Sequence, residues 1–324
     1  MKKLPFRTPA LVCALSCALF SLAAQAQKSP PEPGPECCTP EAQKSVAATL
    51  GFAESAGIKL GMSPEQALEA AKRFNPQFKF HIIKARIESP DSPGGYALVS
   101  RYIVIGTEGV PRFPSFPKPF TLADGSAEEI VLEFTLPPGA PLVAKISRRV
   151  SFATGQPVMA STLIEAIEKK YGQPSLNANN SLYWIFDADG KLTTLPAHSP
   201  ARDCVPIGPY GGFSWQAGLP APGDDLERPA PEPINLETIG LTPNTPGFST
   251  ERASACRGLT IFQAANLGGN VPTTSRQMAM ETSLQSGSLL YASRRVTYDR
   301  ILAKRIEMKA KADAAAKGRA APKM

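Results

Sequence analysis

The sharpest local signal in the chain is residues 57–67, which read Gly57-Ile58-Lys59-Leu60-Gly61-Met62-Ser63-Pro64-Glu65-Gln66-Ala67. Ser63 is a favoured N-cap residue, Pro64 suits the first helical position, and Gln66 stands where it completes a capping box. These signals predict a helix that Asn75-Pro76 ends. The apolar residues that recur at helical spacing, and that we expect to face a core, are Ala67, Leu68, Ala71 and Phe74.

Runs rich in β-branched and aromatic residues follow this helix and predict strands. They span residues 78–87, 96–105, 130–136 and 142–152. Gly and Pro clusters separate them, which is typical of an antiparallel meander.

The same signals return further along the chain. Ser161 to Tyr171 predicts a second helix, with Ser161 as its cap and Gly172 as the residue that ends it. Strands are predicted at residues 182–186, 259–265 and 277–283. In residues 182–186 one face is expected in the core, and the other is a candidate aromatic surface. A last helix is predicted from about Ser286 to Lys317.

This order of elements predicts an α+β protein in which helices pack on antiparallel sheet, as one or two tandem helix–sheet units. A long C-terminal helix follows them. The predicted segments are a signal peptide (1–26), a Pro-rich disordered arm (27–40), a first unit (41–153), a second unit (154–290) with a Pro-rich insertion (196–256), and a basic helical tail (291–324).

The first residues have the order that a secretory signal requires. Lys2, Lys3 and Arg7 precede an apolar run of about 15 residues, and Ala24-Gln25-Ala26 is a small-x-small cleavage site. A membrane-spanning helix needs about 20 residues. We therefore predict cleavage between Ala26 and Gln27, a periplasmic or secreted protein, and no transmembrane segment after cleavage.

Charge and cysteines constrain the exported protein. The formal net charge is +7, but residues 291–324 carry ten basic and three acidic residues, so the positive charge gathers in one tail. A nucleic acid is therefore a disfavoured partner.

In an oxidising compartment the preferred disulfide is Cys204–Cys256. It would close a long loop and so stabilise the folded protein by about 4 kcal/mol. Cys37 and Cys38 would pair with each other only through a strained ring, so they pair with another chain or stay free.

Residues 57–67 resemble the helix start of the small outer-membrane assembly lipoproteins and of the β-lactamase-inhibitor-protein-like fold. The run Lys169-Lys170-Tyr171-Gly172-Gln173-Pro174 resembles the end of a helix in the same groups. The resemblance implies helix–helix–sheet units and a protein-binding role, with no catalytic residues to carry over. The chain departs from the lipoproteins because it lacks a lipobox and is much longer.

Catalytic motifs are absent from the sequence. It contains no G-x-S-x-G, H-E-x-x-H or P-loop pattern, and His81 and His198 are its two histidines. Asp187-Ala188-Asp189-Gly190 is a hairpin turn and not a calcium loop, because the further ligand positions are missing. We predict no metal and no cofactor. Paired carboxylates leave no spacing signature, so a carboxylate-dependent hydrolase acting on cell-envelope material stays open.

Three segments are candidate interaction surfaces, and each has a structural alternative. Phe113 and Phe116 lie in a Pro-rich run that either docks in a partner's groove or folds back on the sheet. Trp215 marks either a recognition patch or a small core inside the disulfide loop. The tail helix either contacts an anionic membrane or acidic polymer, or is solvated beyond a packed first half. Its candidate residues are Arg294, Arg295, Arg300, Lys304 and Arg305.

These observations favour an exported, non-enzymatic cell-envelope interaction or binding protein, whose partner is an envelope protein or polymer. The alternatives are the carboxylate-dependent hydrolase and a membrane-surface protein that binds through its basic C-terminal helix.

Overall fold

Helix α1 (Pro64–Phe74) begins as its sequence predicts in the computed structural model, which describes residues 50–88, 96–106, 124–178, 180–195 and 258–317. The Ser63 hydroxyl accepts a hydrogen bond from the Gln66 N–H at 3.3 Å. The Gln66 side-chain oxygen accepts one from the Ser63 N–H at 3.0 Å. The predicted capping box is therefore confirmed, and Asn75 caps the end of the helix as predicted.

The predicted strands and helices appear in the predicted order, and short strands of two or three residues add to them. The strands are β1 (Glu54–Ser55), β2 (Ile58–Lys59), β3 (Lys79–Glu88), β4 (Tyr96–Gly106), β5 (Ala127–Phe134), β6 (Val143–Ser151), β7 (Val158–Met159), β8 (Leu176–Ala178), β9 (Ser181–Phe186), β10 (Leu192–Thr193), β11 (Thr260–Ala265), β12 (Arg276–Gln277) and β13 (Ala279–Ser286). The other two described helices are α2 (Ala160–Tyr171) and α3 (Gly287–Lys317).

One antiparallel sheet of nine strands organises the fold. Its order is β10-β9-β11-β13-β6-β5-β4-β3, and β8 also pairs with β9. The meander from β3 to β6 matches the sequence prediction, and β13 enters between β6 and β11. The predicted α+β class is therefore confirmed. Strands on both sides of the predicted unit boundary at residues 153–154 share this sheet, and the boundary itself stays a prediction.

The apolar face of the sheet packs against α1 and α2 in one core cluster. Trp184 of β9 is fully buried there, and its indole N–H donates to the Gly172 carbonyl at 2.7 Å. Gly172 has a φ of 82°, a conformation that favours glycine, and it ends α2 as predicted. This core residue is therefore tied to the end of the helix that covers it.

Two local predictions around α2 and β9 need correction. Helix α2 begins at Ala160, and its N-cap is Met159 without a side-chain hydrogen bond, so Ser161 lies inside the first turn. The strand at residues 182–186 has no exposed aromatic face, because Tyr183 is as fully buried as Trp184. Strand β9 lies inside the sheet between β11 and the short strands β8 and β10.

Helix α3 has two unlike halves. The Ser286 hydroxyl accepts from the Leu289 N–H at 3.3 Å and so caps the helix where the sequence predicts its start. Buried side chains continue as far as Ile301, and nearly every residue from Leu302 to Lys317 is exposed. The first half therefore belongs to the body, whereas the second half is a solvent-exposed segment, named here the distal helix (residues 302–317).

Candidate functional site

The face of the sheet opposite the core carries polar and charged residues in rows across β5, β6, β13 and β11. The rows, read from the strand register, are Glu129–Arg149–Glu281, Ser147–Ser283–Gln263 and Glu133–Lys145–Gln285. They alternate with the core residues Ile130, Leu132 and Ile146, as the two-residue period of a strand requires. Five of these nine polar side chains are buried and four are half-buried, and the rows continue into an apolar cluster of Tyr183, Ile185 and Ile261. The second face is therefore partly polar and largely covered.

Two carboxylates of the described sheet, Glu129 and Glu281, lie in one row with Arg149 between them. The Arg149 Nε lies 3.4 Å from a carboxylate oxygen of Glu281. Burial raises the pKa of Glu129 to about 7, and the charge of Arg149 opposes that rise. The two glutamates are two strands apart, about 9.5 Å between backbones, with Arg149 in register between them.

This arrangement favours a structural role for the row. A hydrolytic carboxylate pair must leave the space between its carboxyl groups for the substrate and its water. Here Arg149 takes the register position between the two glutamates and pairs with one of them. The row therefore resembles a cross-strand ion network more than a catalytic pair.

The Glu133–Lys145–Gln285 row anchors α3. The Arg294 guanidinium donates to a Glu133 carboxylate oxygen, and both side chains are largely buried. Burial lowers the pKa of the neighbouring Lys145, Glu133 opposes that effect, and Arg294 reinforces it. One turn later the Thr297 hydroxyl contacts the Pro137 carbonyl and donates to the Ser293 carbonyl, the latter at 2.8 Å. Arg294 therefore joins the helix to the sheet.

The other predicted interaction residues of the tail lie along α3. Arg295 is part of the helix, Arg300 is half-buried, and Arg305 is exposed. The Lys304 ammonium lies 3.1 Å from the Glu307 carboxylate. The remaining predicted residues, which lie outside the described ranges and stay predictions, are Ala26, Gln27, Cys37, Cys38, Phe113, Phe116, His198, Cys204, Trp215 and Cys256.

The distal helix exposes three large apolar residues but has no apolar stripe. Leu302 is 38% exposed, Ile306 62% and Met308 61%. At about 100° per residue, Leu302 and Ile306 share one side, whereas Met308 points away from them. The Lys309–Asp313 and Lys311–Glu307 pairs, at 2.7 and 2.6 Å, surround the helix with charge. This distribution favours a solvated helix over one that lies flat on a membrane.

A patch of exposed aromatic residues lies where α1 ends and β3 begins. Phe74 is 48% exposed and Phe80 37% exposed. The Lys72 ammonium lies 4.9 Å from the Phe80 ring centre, and the Arg148 guanidinium lies 5.4 Å from that of Phe74. We name Lys72, Phe74, Phe80 and Arg148 the aromatic edge patch.

The sequence prediction missed this patch because Phe74 fits the helical spacing of the core-facing residues. It is the last residue of α1, and Ala67 and Ala71 of the same helix are buried as predicted. The Phe74 ring stacks on the buried Phe78, with ring centres 6.2 Å apart, but the Phe74 side chain remains partly exposed. Phe80 is exposed because β3 is the last strand of the described sheet.

Other features of the described residues offer less to a ligand. A shallow cleft of about 340 Å³ lies beside the start of α1, lined by Lys59, Leu60, Gly61, Met62, Gln66, Glu69 and Arg73. Among the residues with described positions, no three His, Cys, Asp or Glu side chains are grouped to hold a metal ion. Within the same ranges, no helix is long and apolar enough to cross a membrane.

Comparisons with known proteins add no relative: no family model, no curated protein and no solved structure matches the chain significantly.

Proposed function

We propose that this protein is an exported, non-enzymatic binding protein of the cell envelope, and that the aromatic edge patch is its recognition surface. The observation that carries the proposal is the pair of exposed phenylalanines, Phe74 and Phe80, each with a cation against its ring. Aromatic side chains framed by Arg or Lys are typical of the residues that dominate binding energy at protein interfaces.

The charge around the patch indicates the chemistry of the partner. Lys72, Arg73 and Lys79 are all exposed in this part of the chain, and the Lys72 ammonium lies over the Phe80 ring. Glu69 lies 3.9 Å from the Arg73 guanidinium, but both side chains are mostly exposed, so this pair contributes little. A partner that places an apolar group on the rings and carboxylates around them fits this surface best.

The hydrolase alternative receives less support. Arg149 lies in register between Glu129 and Glu281 and pairs with Glu281, and the described cleft beside α1 is shallow and is lined by neither glutamate. The membrane-surface alternative is weakened by the mixed distribution of charge and apolar groups around the distal helix. An envelope protein or acidic polymer is therefore the preferred partner class.

The proposal is tested by photo-crosslinking in intact cells. A photoreactive phenylalanine analogue is placed at Phe74 and, as a control of similar exposure, at Met278, which is 53% exposed. We expect a discrete crosslinked envelope partner from position 74 alone, and a mature protein that begins at Gln27. Equal crosslinking from both positions would remove the patch as the recognition surface. Turnover of an envelope substrate that Glu129→Gln abolishes would replace the proposal with the hydrolase.

A further inference from the structure

Strand β3 is a long edge strand beside the aromatic edge patch. It ends the described sheet, and no other described strand pairs with its outer side. At the opposite end of the sheet the outer strands β8 and β10 have only three and two residues, whereas β3 has ten. A long edge strand presents a row of backbone donors and acceptors to another chain, and proteins usually shorten or shield such edges.

The regular part of this edge is short and begins at the patch. The register between β3 and β4 shifts between Ile83 and Lys84, where β4 has one extra residue, and such an irregularity bends the strand pair. Before the shift, residues Lys79–Ile83 pair with β4 in an uninterrupted register. These five residues span about 17 Å, and Phe80 lies among them. A chain added there would run directly beside Phe80.

The positive charge at this edge indicates which kind of chain would bind there. Lys72 and Lys79 are exposed around the regular part of the strand, and Lys84 follows it. A second copy of this chain, paired edge to edge, would bring like charges together, and like charges opposite one another destabilise strand pairing. An extended segment with alternating acidic and apolar residues would instead place its carboxylates on the face of Lys79 and its apolar side chains on the opposite face, that of Phe80.

We propose that the edge Lys79–Ile83 binds an extended acidic segment of a partner protein by strand addition. This inference rests on the proposed function, because it names the kind of segment that the aromatic edge patch recognises. Backbone hydrogen bonds to β3 supply part of the affinity, and the patch and its lysines supply the preference among segments.

The experiment uses the mature full chain and an end-capped, fluorescent decapeptide of alternating glutamate and valine. Three measurements are made: peptide affinity by anisotropy, amide hydrogen exchange over Lys79–Ile83, and affinity for two control peptides. One control replaces each glutamate with lysine, and the other replaces a central valine with proline, which removes a backbone donor. We expect each control peptide to bind at least about tenfold more weakly. We also expect exchange over Lys79–Ile83 to slow by about tenfold when the first peptide is bound.

A matched pair of protein variants separates local charge from net charge. Lys72→Glu with Lys79→Glu should weaken binding by at least about tenfold, whereas Lys309→Glu with Lys317→Glu changes the net charge equally and should leave it within about twofold. Equal losses from both double variants would overturn the inference, as would equal binding of the lysine peptide. Binding with unchanged exchange over Lys79–Ile83 would refute strand addition alone, since crosslinking at Phe74 tests the patch separately.

Discussion

The buried cluster of Glu133, Lys145 and Arg294 makes an asymmetric prediction about stability. Glu133 is the anion of this cluster, and it faces Lys145 across the strands and Arg294 from α3. Glu133→Gln leaves two cations in a largely buried site, whereas Arg294→Gln leaves the carboxylate with Lys145 as its partner. The two substitutions remove the same ion pair, but they should differ in cost.

The expected magnitudes follow from the burial of the partners. Breaking a buried ion pair by removing one member typically costs about 3–5 kcal/mol, since the other charge stays desolvated. We expect Glu133→Gln to fall in that range, because it removes the described carboxylate that both buried cations face. We expect Arg294→Gln to cost about 1–3 kcal/mol, because Lys145 still offsets the carboxylate and the lost hydrogen bond to a charged group accounts for most of the change.

Urea unfolding of the mature protein measures these costs, with Lys309→Gln as the control. Lys309 also belongs to an ion pair, but that pair is mostly exposed, so its loss should change the free energy of unfolding by less than about 0.5 kcal/mol. If Arg294→Gln proves as costly as Glu133→Gln, Lys145 does not compensate the carboxylate and the reasoning about this cluster is wrong.

Three further predictions concern separate parts of the molecule. The pKa of Glu129 is about 7 in the folded protein and 4.5 ordinarily, so the native state keeps a proton that the unfolded state loses. The free energy of unfolding should therefore fall by about 3 kcal/mol as the pH rises from 4.5 to 7, and urea titrations of Glu129→Gln should lack this fall. Ser63→Ala removes the cap of α1 and should cost about 1 kcal/mol in thermal unfolding, whereas an equal melting temperature would count against the cap. Removing residues 306–324 should leave unfolding within about 0.5 kcal/mol and liposome binding unchanged, because residues 306–317 are exposed; weaker liposome binding would restore the membrane-surface alternative.

The sequence predicted best those features that a few neighbouring residues determine. The capping box at Ser63, the end of α2 at Gly172 and the turn at Asp187–Gly190 all appear in the structure. In that turn an Asp187 carboxylate oxygen accepts from the Asp189 and Lys191 N–H groups at 3.0 and 2.9 Å. Caps and turns are predictable because the residues that form them are within four positions of one another.

The sequence pattern could not predict features that depend on residues far apart in the chain. Strand β13 enters between β6 and β11, and no local signal in residues 279–286 specifies either neighbour. The exposure of Phe74 was missed for a related reason, since helical spacing shows which residues share a face but not where the covering element ends. The burial of Tyr183 likewise depends on surroundings that alternation within β9 does not reveal.

The two faces of the sheet explain why the aromatic edge patch lies at its border. The core face is closed by α1 and α2, and the opposite face is interior and commits its charges to internal pairs such as Glu133–Arg294. Charges that are already paired and buried have little left to offer a partner. At the border, the last residue of α1 and the first residues of β3 combine exposed rings, exposed lysines and an edge without a described neighbour. The exposed rings and lysines therefore lie at the strand edge that the peptide experiment probes.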